Sequence, residues 1–376
     1  MTRDFDFDRD WAGLVARFGG ADGLAQSARQ TKAFMRRREI ANAVDLLQLV
    51  LAYCLGESGL RLTAGWAATI GLANFSNVAL LKRLQQCGDW FSFLVGQLLA
   101  TRAPVASKGR LIRIIDATAV PKAGAPAKRG NGIWRIHSAF DLPSERFSAF
   151  ELTDESGAER LDRIPVIKGE IRLADRVHLQ TEPMATVIEA GGDVVIRAGW
   201  KSARWLEADR TLFDLPGELA KATHKVLIDR PIWLDRGEKQ PALALRLVAV
   251  RKSPQAAEAA RRAARRQAQR GGSQISDATL VCADWLILIT SLKPDEFSAE
   301  DVAELYRLRW RIELAFKRLK SLIGLKGPPG TDPRSARTYI LAHLLMLLIV
   351  EPVIDELDLS PHWDQDGDSQ DQHSGA

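Results

Sequence analysis

The order of predicted strands between residues 106 and 180 is the feature that most constrains the fold of this chain. Four segments have the apolar or alternating pattern of strands and one has the composition of a short helix; in chain order they are LIRIID (111–116), WRIHSAFDL (134–142), RFSAFELTD (146–154), the helix AERLDRI (158–164) and EIRLADRV (170–177). A turn at Pro143 and Ser144 separates the second strand from the third. Two acids, Asp116 and Asp175, are predicted to stand at strand ends.

Three strands, a helix and a further strand form the order of a ribonuclease-H-like core, so the pattern predicts an α/β fold. Acids at the ends of neighbouring strands converge in a sheet, and a third acid from a packed helix, Glu313, would complete a metal site. Hard oxygen ligands of this kind hold two Mg²⁺ about 4 Å apart in nucleotidyl transfer. The alternative for each lone Asp after a strand is a turn or a helix cap.

The segment YRLRWRIELAFKRLK (306–320) predicts a single amphipathic helix. Tyr306, Arg309, Glu313 and Lys320 follow one another at intervals of three, four and seven, so on an α-helix they share an arc of roughly 60°. The opposite side carries an apolar stripe, formed by Leu308, Ile312, Ala315, Phe316 and Leu319. A carboxylate among cations suits a metal and a polyanion in one site, and the alternative is a solvated face with charge pairs.

These residues carry a family resemblance. The pattern Y-x2-R-x3-E-x6-K resembles the signature of DDE transposases in the insertion-sequence-four group, and the chain matches it at all four positions. Asp116 to Thr118 fits the D-x-T context of the first acid in that family, and Trp134 to His137 fits a downstream W-R-x-H. Asp175 and Arg176 fit the second acid, whereas Val177-His178 departs from the usual Gly-aromatic pair. The resemblance covers about residues 60–352.

The resemblance implies a DNA transposase whose catalytic, metal-binding triad is Asp116, Asp175 and Glu313. Mg²⁺, or Mn²⁺ in its place, would support hydrolysis at the ends of an insertion sequence, and the resulting 3′-hydroxyls would attack target DNA. It further implies that Tyr306, Arg309 and Lys320 grip phosphates of the double-stranded terminal inverted repeats. The expected assembly is a homodimer in a synaptic complex.

Five regions are expected along the chain: a helical N-terminal DNA-recognition region (1–105), the first part of the ribonuclease-H-like core (106–180), a mostly β insertion domain with an Arg-rich helix at 255–270 (181–275), the second part of the core with the signature helix (276–353) and an acidic tail (354–376). The insertion is expected because relatives fill this interval with one, and because TVIEA, DVVIRAG, HKVLIDRPIWL and ALALRLVAVR read as short β segments.

Three further residues are candidates for DNA contact. Trp200 and Trp205 lie among cations in the predicted insertion, where an aromatic ring can stack on a flipped base. The alternative is that each Trp belongs to the core or caps the insertion sheet. Arg176 follows the second acid, and the departure beside it weakens only the expectation of DNA contact there, not the role of Asp175.

Charge and composition agree with a nucleic-acid partner. The formal charge is +5, and residues 354–376 carry six Asp and one Glu without Lys or Arg, so the rest of the chain is strongly basic. Three scattered cysteines and the lack of an apolar leader predict a cytoplasmic protein. The longest apolar run, 339–354, is shorter than a bilayer span and predicts a buried core helix.

Two alternatives to a transposase stay open at this point. The first is a metal nuclease on the same fold that cuts DNA without strand transfer, because cleavage and transfer use one site. The second is a non-catalytic DNA-binding protein derived from a transposase. The three acids argue against the second, because clustered carboxylates weaken DNA binding in the absence of a metal.

Overall fold

The computed structural model of the chain describes residues 7–101, 109–124, 132–238, 240–321 and 323–356. The predicted loop at 121–132 and the predicted acidic tail at 354–376 lie for the most part outside these residues. Within them the chain is a mixed α/β fold.

The helices are α1 (Phe7–Ala16), α2 (Gly20–Gln30), α3 (Ala43–Leu55), α4 (Leu60–Thr69), α5 (Asn77–Gln86), α6 (Gly88–Ala100), α7 (Thr181–Glu189), α8 (Leu215–Lys221), α9 (Pro254–Arg270), α10 (Asp277–Ala283), α11 (Ala299–Arg307), α12 (Trp310–Ser321) and α13 (Pro333–Glu356). The strands are β1 (Ile112–Pro121), β2 (Ile133–Asp141), β3 (Arg146–Asp154), β4 (Ile171–Ala174), β5 (Asp193–Arg197), β6 (Trp205–Leu206), β7 (Leu227–Leu234), β8 (Leu243–Arg251) and β9 (Trp285–Thr290). A short 3₁₀ helix, Arg176–His178, follows β4.

All of these strands form one sheet in the order β3-β2-β1-β4-β5-β9-β8-β7-β6 within the described residues. The first three strands are antiparallel, and β4 and β5 then run parallel to β1. Three antiparallel strands followed by two parallel ones make a ribonuclease-H-like core, which confirms the predicted fold class. The strands β9, β8, β7 and β6 continue the same sheet with antiparallel pairing.

Each face of the sheet buries its own apolar cluster, because successive strand residues point to opposite sides. Ile114 of β1 and Leu173 of β4 belong to a cluster shared with the N-terminal helices, α12 and α13. Ile115 and Ala174, their neighbours along the strands, belong to a second cluster with α7, α8 and α10. The sheet is therefore a layer between two sets of helices.

The N-terminal region is helical, as predicted. Asn42 and Ser76 cap α3 and α5 by accepting hydrogen bonds from the backbone N–H three residues on. The apolar stretch at 77–100 forms two helices that meet at Cys87. Thr338 of α13 donates to the carbonyl of Leu84, which ties α5 to the long C-terminal helix.

Helix α13 is apolar and long enough by composition to cross a membrane over Pro333–Pro352, yet most of that stretch is buried inside the protein. Its fully buried residues, Ile340, Ala342, Leu344 and Leu345, join the cluster that lies against the sheet. The predicted core helix is therefore what these residues form.

Two predicted elements are wrong, and a third is a strand as predicted but pairs with the core. AERLDRI (158–164) forms turns and irregular backbone instead of a helix: Arg163 donates to the carbonyl of Ala158, which the first helical turn would need, and Pro165 has no N–H to extend the helix. TVIEA lies in α7, where buried Met184 and Val187 stand one helical turn apart. The segment DVVIRAG is a strand, but as β5 it pairs in parallel with β4 of the core.

Candidate active site

Asp116 lies within β1, not at its end as predicted, because β1 continues to Pro121. Its carboxylate projects from the same face as Ile114, toward α12. One oxygen, Oδ1, accepts a hydrogen bond of 2.7 Å from the N–H of Ala117. Burial raises the pKa of Asp116 to about 6, although the nearby Arg309 charge opposes the shift. The site therefore holds a carboxylate whose charge is poorly compensated.

Asp175 follows the last residue of β4, as predicted, and is the N-cap of the 3₁₀ helix Arg176–His178. Its Oδ1 accepts from the N–H of Val177 at 2.9 Å and lies 3.2 Å from Nδ1 of His178. Burial acts to raise the pKa of Asp175, but the His178 contact, the Val177 hydrogen bond and the charge of Arg309 outweigh it and hold the pKa below its ordinary value. Asp175 is therefore a helix cap as well as a candidate metal ligand, so the two interpretations do not exclude each other.

The two aspartates lie side by side on adjacent strands. β1 and β4 are parallel and pair Ile114 with Leu173, so two residues further along Asp116 comes next to Asp175 on the same face. The negative charge of Asp175 contributes to the environment of Asp116, because it helps to raise the pKa of Asp116.

The signature segment is not one helix, which corrects the sequence prediction. α11 ends at Arg307 and α12 begins at Trp310, and across the break the N–H of Arg309 donates to the carbonyl of Tyr306 at 3.0 Å. That bond spans three residues instead of four, so the helix tightens and changes direction there. Ser298 caps the start of α11 and forms a capping box with Asp301.

The break places Arg309 between two of the predicted triad carboxylates. Its Nη1 lies 3.5 Å from Oδ2 of Asp116, and its Nη2 donates to Oε1 of Glu313. Burial acts to lower the pKa of Arg309, but Tyr306, Glu313 and Asp116 outweigh it and hold that pKa above its ordinary value. Glu313 itself is 57% exposed. Its side chain is turned toward the guanidinium at the rim of the site.

Tyr306 is 7% exposed, and its hydroxyl lies near the guanidinium of Arg309 but makes no hydrogen bond of good geometry within the described part of the chain. Burial raises the pKa of Tyr306 to about 12, while the charges of Arg309 and Arg197 oppose the shift. A buried hydroxyl without a partner is uncommon and calls for a ligand or an unseen group to satisfy it.

Arg197 is a site residue that the sequence reasoning did not single out for catalysis. β4 and β5 pair Ala174 with Ile196, so Arg197 comes next to Asp175 on the same face. It makes no ion pair within the ranges that the structure describes. The signal that could have found it is its position after the apolar run DVVI, which mirrors the position of Asp175 after IRLA.

The remaining predicted contacts lie farther out. Lys320 and Arg176 are exposed, and Lys320 is roughly 10 Å along α12 from Glu313. Trp200 is half-buried, with Nζ of Lys201 4.8 Å from its ring centroid. Trp205 is 5% exposed within the second cluster and donates from Nε1 to the carbonyl of Trp200, which favours the core alternative for Trp205.

The donor set fits a divalent cation. Carboxylate oxygens are the ligands that Mg²⁺ prefers, and the side-by-side Asp116 and Asp175 face a cation already, the guanidinium of Arg309. Glu313 is paired with the same guanidinium. No group of three acidic, His or Cys side chains stands ready to hold a metal among the described residues. A bound ion therefore requires Arg309 and Glu313 to part.

A ribonuclease-H-like sheet with paired aspartates on its first and fourth strands, and a Glu on a packed helix, defines the class of metal-dependent nucleotidyl-transfer enzymes. The model of the family described as the transposase DDE domain matches residues 107–349. The chain is 39% identical over 363 residues to the transposase for insertion sequence element IS421 of Escherichia coli. It is 38% identical over 362 residues to InsL, assigned as the transposase of insertion sequence element IS186A of Escherichia coli K12.

Both alignments cover 94% of this chain and 96% of the relative. The chain therefore belongs to the DDE transposase family, as the signature residues predicted. It is a DNA transposase, an enzyme of DNA cleavage and strand transfer, and the family implies a divalent metal and a DNA substrate.

Proposed function

We propose that this transposase mobilises an insertion sequence and that Asp116, Asp175 and Glu313 hold its Mg²⁺ ions, with Mn²⁺ able to replace them. The observation that carries the proposal is the position of Arg309, which bridges Asp116 and Glu313 beside Asp175. A cationic side chain thus already lies between Asp116 and Glu313 and near Asp175, which supports a cation site there.

Bound Mg²⁺ would supply a nucleophile of lowered pKa and stabilise the leaving 3′-oxygen. The chain's own residues orient the DNA. Arg309, once released from Glu313, presents a planar fork that suits two phosphate oxygens. The partnerless hydroxyl of Tyr306 can donate to a phosphate oxygen, and Arg197 brings a further positive charge next to Asp175. Lys320 acts as a point charge farther along the bound strand.

The proposal extends to partners and organisation. The DNA substrates are the double-stranded terminal inverted repeats and the target, bound in the cytoplasm, with the region 1–105 recognising the ends. Two protomers would bring two ends together in a synaptic complex. The basic charge of the chain outside its acidic tail supports DNA as the partner. The segments 106–180 and 276–353, together with β5, would form the catalytic core, with the rest of 181–275 as the insertion. Within this insertion, Trp200 keeps its proposed role in base stacking.

The decisive experiment measures cleavage and joining of a labelled duplex that ends in the inverted repeats flanking the gene. We expect Glu313→Gln to lower both rates by at least about 10³-fold, the scale of lost transition-state charge stabilisation, while DNA binding persists. The matched control is Glu304→Gln, the same change at an exposed position of α11, which should leave both rates within about twofold.

The other outcomes decide between the alternatives. Cutting without joining, in Mg²⁺ and with pre-cut ends, would favour a nuclease on the same fold. Binding without chemistry in either Mg²⁺ or Mn²⁺ would leave a DNA-binding relic. Equal loss in Glu313→Gln and Glu304→Gln would remove Glu313 from the proposed triad.

A further inference from the structure

Helix α9 (Pro254–Arg270) is the most basic element outside the site. Its first half is docked: Ala257 is buried, and Arg261 donates to Asp284 at 2.6 Å and to Glu258. Its second half carries Arg262, Arg266 and Arg270, which are exposed. At intervals of four these three residues form one stripe that spans roughly 80° of the helix.

No carboxylate neutralises the stripe by a direct ion pair within the described residues. Arg266 and Arg270 make no ion pair with the described part of the chain. Arg262 interacts with Glu258 only through its charge, because Arg261 forms the ion pair with that carboxylate. Some exposed arginines elsewhere, such as Arg160 and Arg334, lie against a neighbouring aspartate, whereas Arg36, Arg37 and Arg38 resemble the stripe in making no ion pair within the described residues. The stripe therefore presents a net positive surface.

The topology places α9 at the edge of the sheet that holds the active site. β9 is antiparallel to β5 and pairs Leu288 with Arg197, so the start of β9 lies beyond the end of β5. β8 pairs its last residue, Arg251, with Trp285, the first residue of β9. The chain enters α9 three residues later. β4, which Asp175 directly follows, is three strand spacings from β8, roughly 14 Å.

We propose that Arg262, Arg266 and Arg270 form a track that binds the phosphate backbone of duplex DNA beside the scissile position. The helix is about 25 Å long, so the stripe reaches along the duplex from the active-site edge. Guanidinium groups without an acidic partner bind phosphates by releasing condensed counterions, without reading sequence. The inference rests on the proposed function, because the duplex is the one that the site cleaves.

The test measures binding of a labelled end duplex between about 0.05 and 0.2 M salt, with the full chain and without divalent ions. The variants are the triple change Arg262→Gln, Arg266→Gln, Arg270→Gln and the corresponding triple change to Lys. The matched control removes three exposed but paired arginines, Arg160→Gln, Arg210→Gln and Arg334→Gln. A thermal unfolding scan verifies that each variant is folded.

We expect the slope of log affinity against log salt to fall by about 2.7 in the Gln triple, at about 0.9 for each phosphate contact. Over the same salt range the wild type should then lose about 40-fold more affinity than the Gln triple. The Lys triple should keep the wild-type slope. Two sets of duplexes, one extended into the element and one into the flanking DNA, identify which side of the cleavage position the track binds. The difference in slope between the wild type and the Gln triple should appear only with the duplex that reaches the track.

Two results would overturn the inference: a Gln triple that follows the wild-type line, or a control triple or Lys triple that loses as much slope as the Gln triple. Failure of the wild type to bind or cleave any end duplex would count against the proposed function instead, so the two failures are distinguishable.

Discussion

The two faces of β1 and β4 carry arginines and carboxylates in contrasting states. On one face, Arg113 and Arg172, which pair in register, surround Glu170. Glu170 is fully buried and accepts from Arg113 Nη1 at 2.9 Å, from Arg172 Nε at 2.6 Å and from the N–H of Ile167 at 3.1 Å. Arg113 Nε lies 3.3 Å from Asp141, within ion-pair distance but without a hydrogen bond. This face is an almost fully paired network.

On the other face, Asp116 and Asp175 share Arg309 with Glu313. Asp116 keeps a raised pKa, and Tyr306 keeps a hydroxyl without a partner in the described residues. The same two strands therefore hold one group of charges that is satisfied internally and another that is incomplete. Because buried polar groups are costly unless they are paired, the first arrangement serves stability and the second is poised for a ligand.

The largest expected effect comes from breaking the paired face. Glu170→Gln should lower the free energy of unfolding by about 3–5 kcal/mol, because two buried guanidinium groups lose their carboxylate. Denaturant unfolding measures it. The matched control is Glu207→Gln, which removes a carboxylate from the partly exposed pair with Arg230 and should cost less than about 1 kcal/mol. Equal losses of unfolding free energy in Glu170→Gln and Glu207→Gln would mean that the buried network stabilises the protein no more than an exposed ion pair does.

On the active-site face, Asp116→Asn should have a smaller effect on the free energy of unfolding, with the opposite sign. Without divalent ions, Asp116→Asn should raise the free energy of unfolding by about 1–3 kcal/mol, because it removes a buried charge while the bond from Ala117 can persist. Asp175→Asn should lower it, because that carboxylate is stabilised by His178 and Val177. Thermal unfolding in a chelator measures both. Destabilisation of similar size by both variants would break the distinction between the two faces.

Much of the fold could be predicted because local patterns agree with it. Strand β3 spans the predicted residues 146–154, since its turn and apolar content are both local signals. The caps at Ser76 and Ser298 were readable for the same reason. The position of Asp175 after β4 followed from the end of an apolar run.

The rest depends on contacts between distant residues. The break between α11 and α12 cannot be read from helical periodicity, because it is stabilised where Arg309 meets Asp116, 193 residues earlier. The buried network was missed because Arg113 and Arg172 look like exposed members of alternating strands until both faces are covered. The turns at 158–164 also have a contact from outside the segment, because Arg172 donates to the carbonyls of Leu161 and Pro165.

Tyr306→Phe should cause the smallest change in stability, and it best separates a role in binding DNA from a role in stability. Removing a buried hydroxyl that has no partner should leave the free energy of unfolding unchanged or raise it by up to about 1 kcal/mol. Cleavage should nevertheless fall by about 10- to 100-fold, because a hydrogen bond to a charged phosphate is worth about 1.5–3 kcal/mol.

Tyr339→Phe is the matched control, since Tyr339 is also largely buried but lies on α13; its cleavage rate should stay within about twofold of wild type. Denaturant unfolding and single-turnover cleavage on the same preparations give both quantities. A Tyr306→Phe variant that loses stability and keeps its cleavage rate would show that the hydroxyl stabilises the fold and does not bind DNA. The contrast between the two faces would then fail at Tyr306.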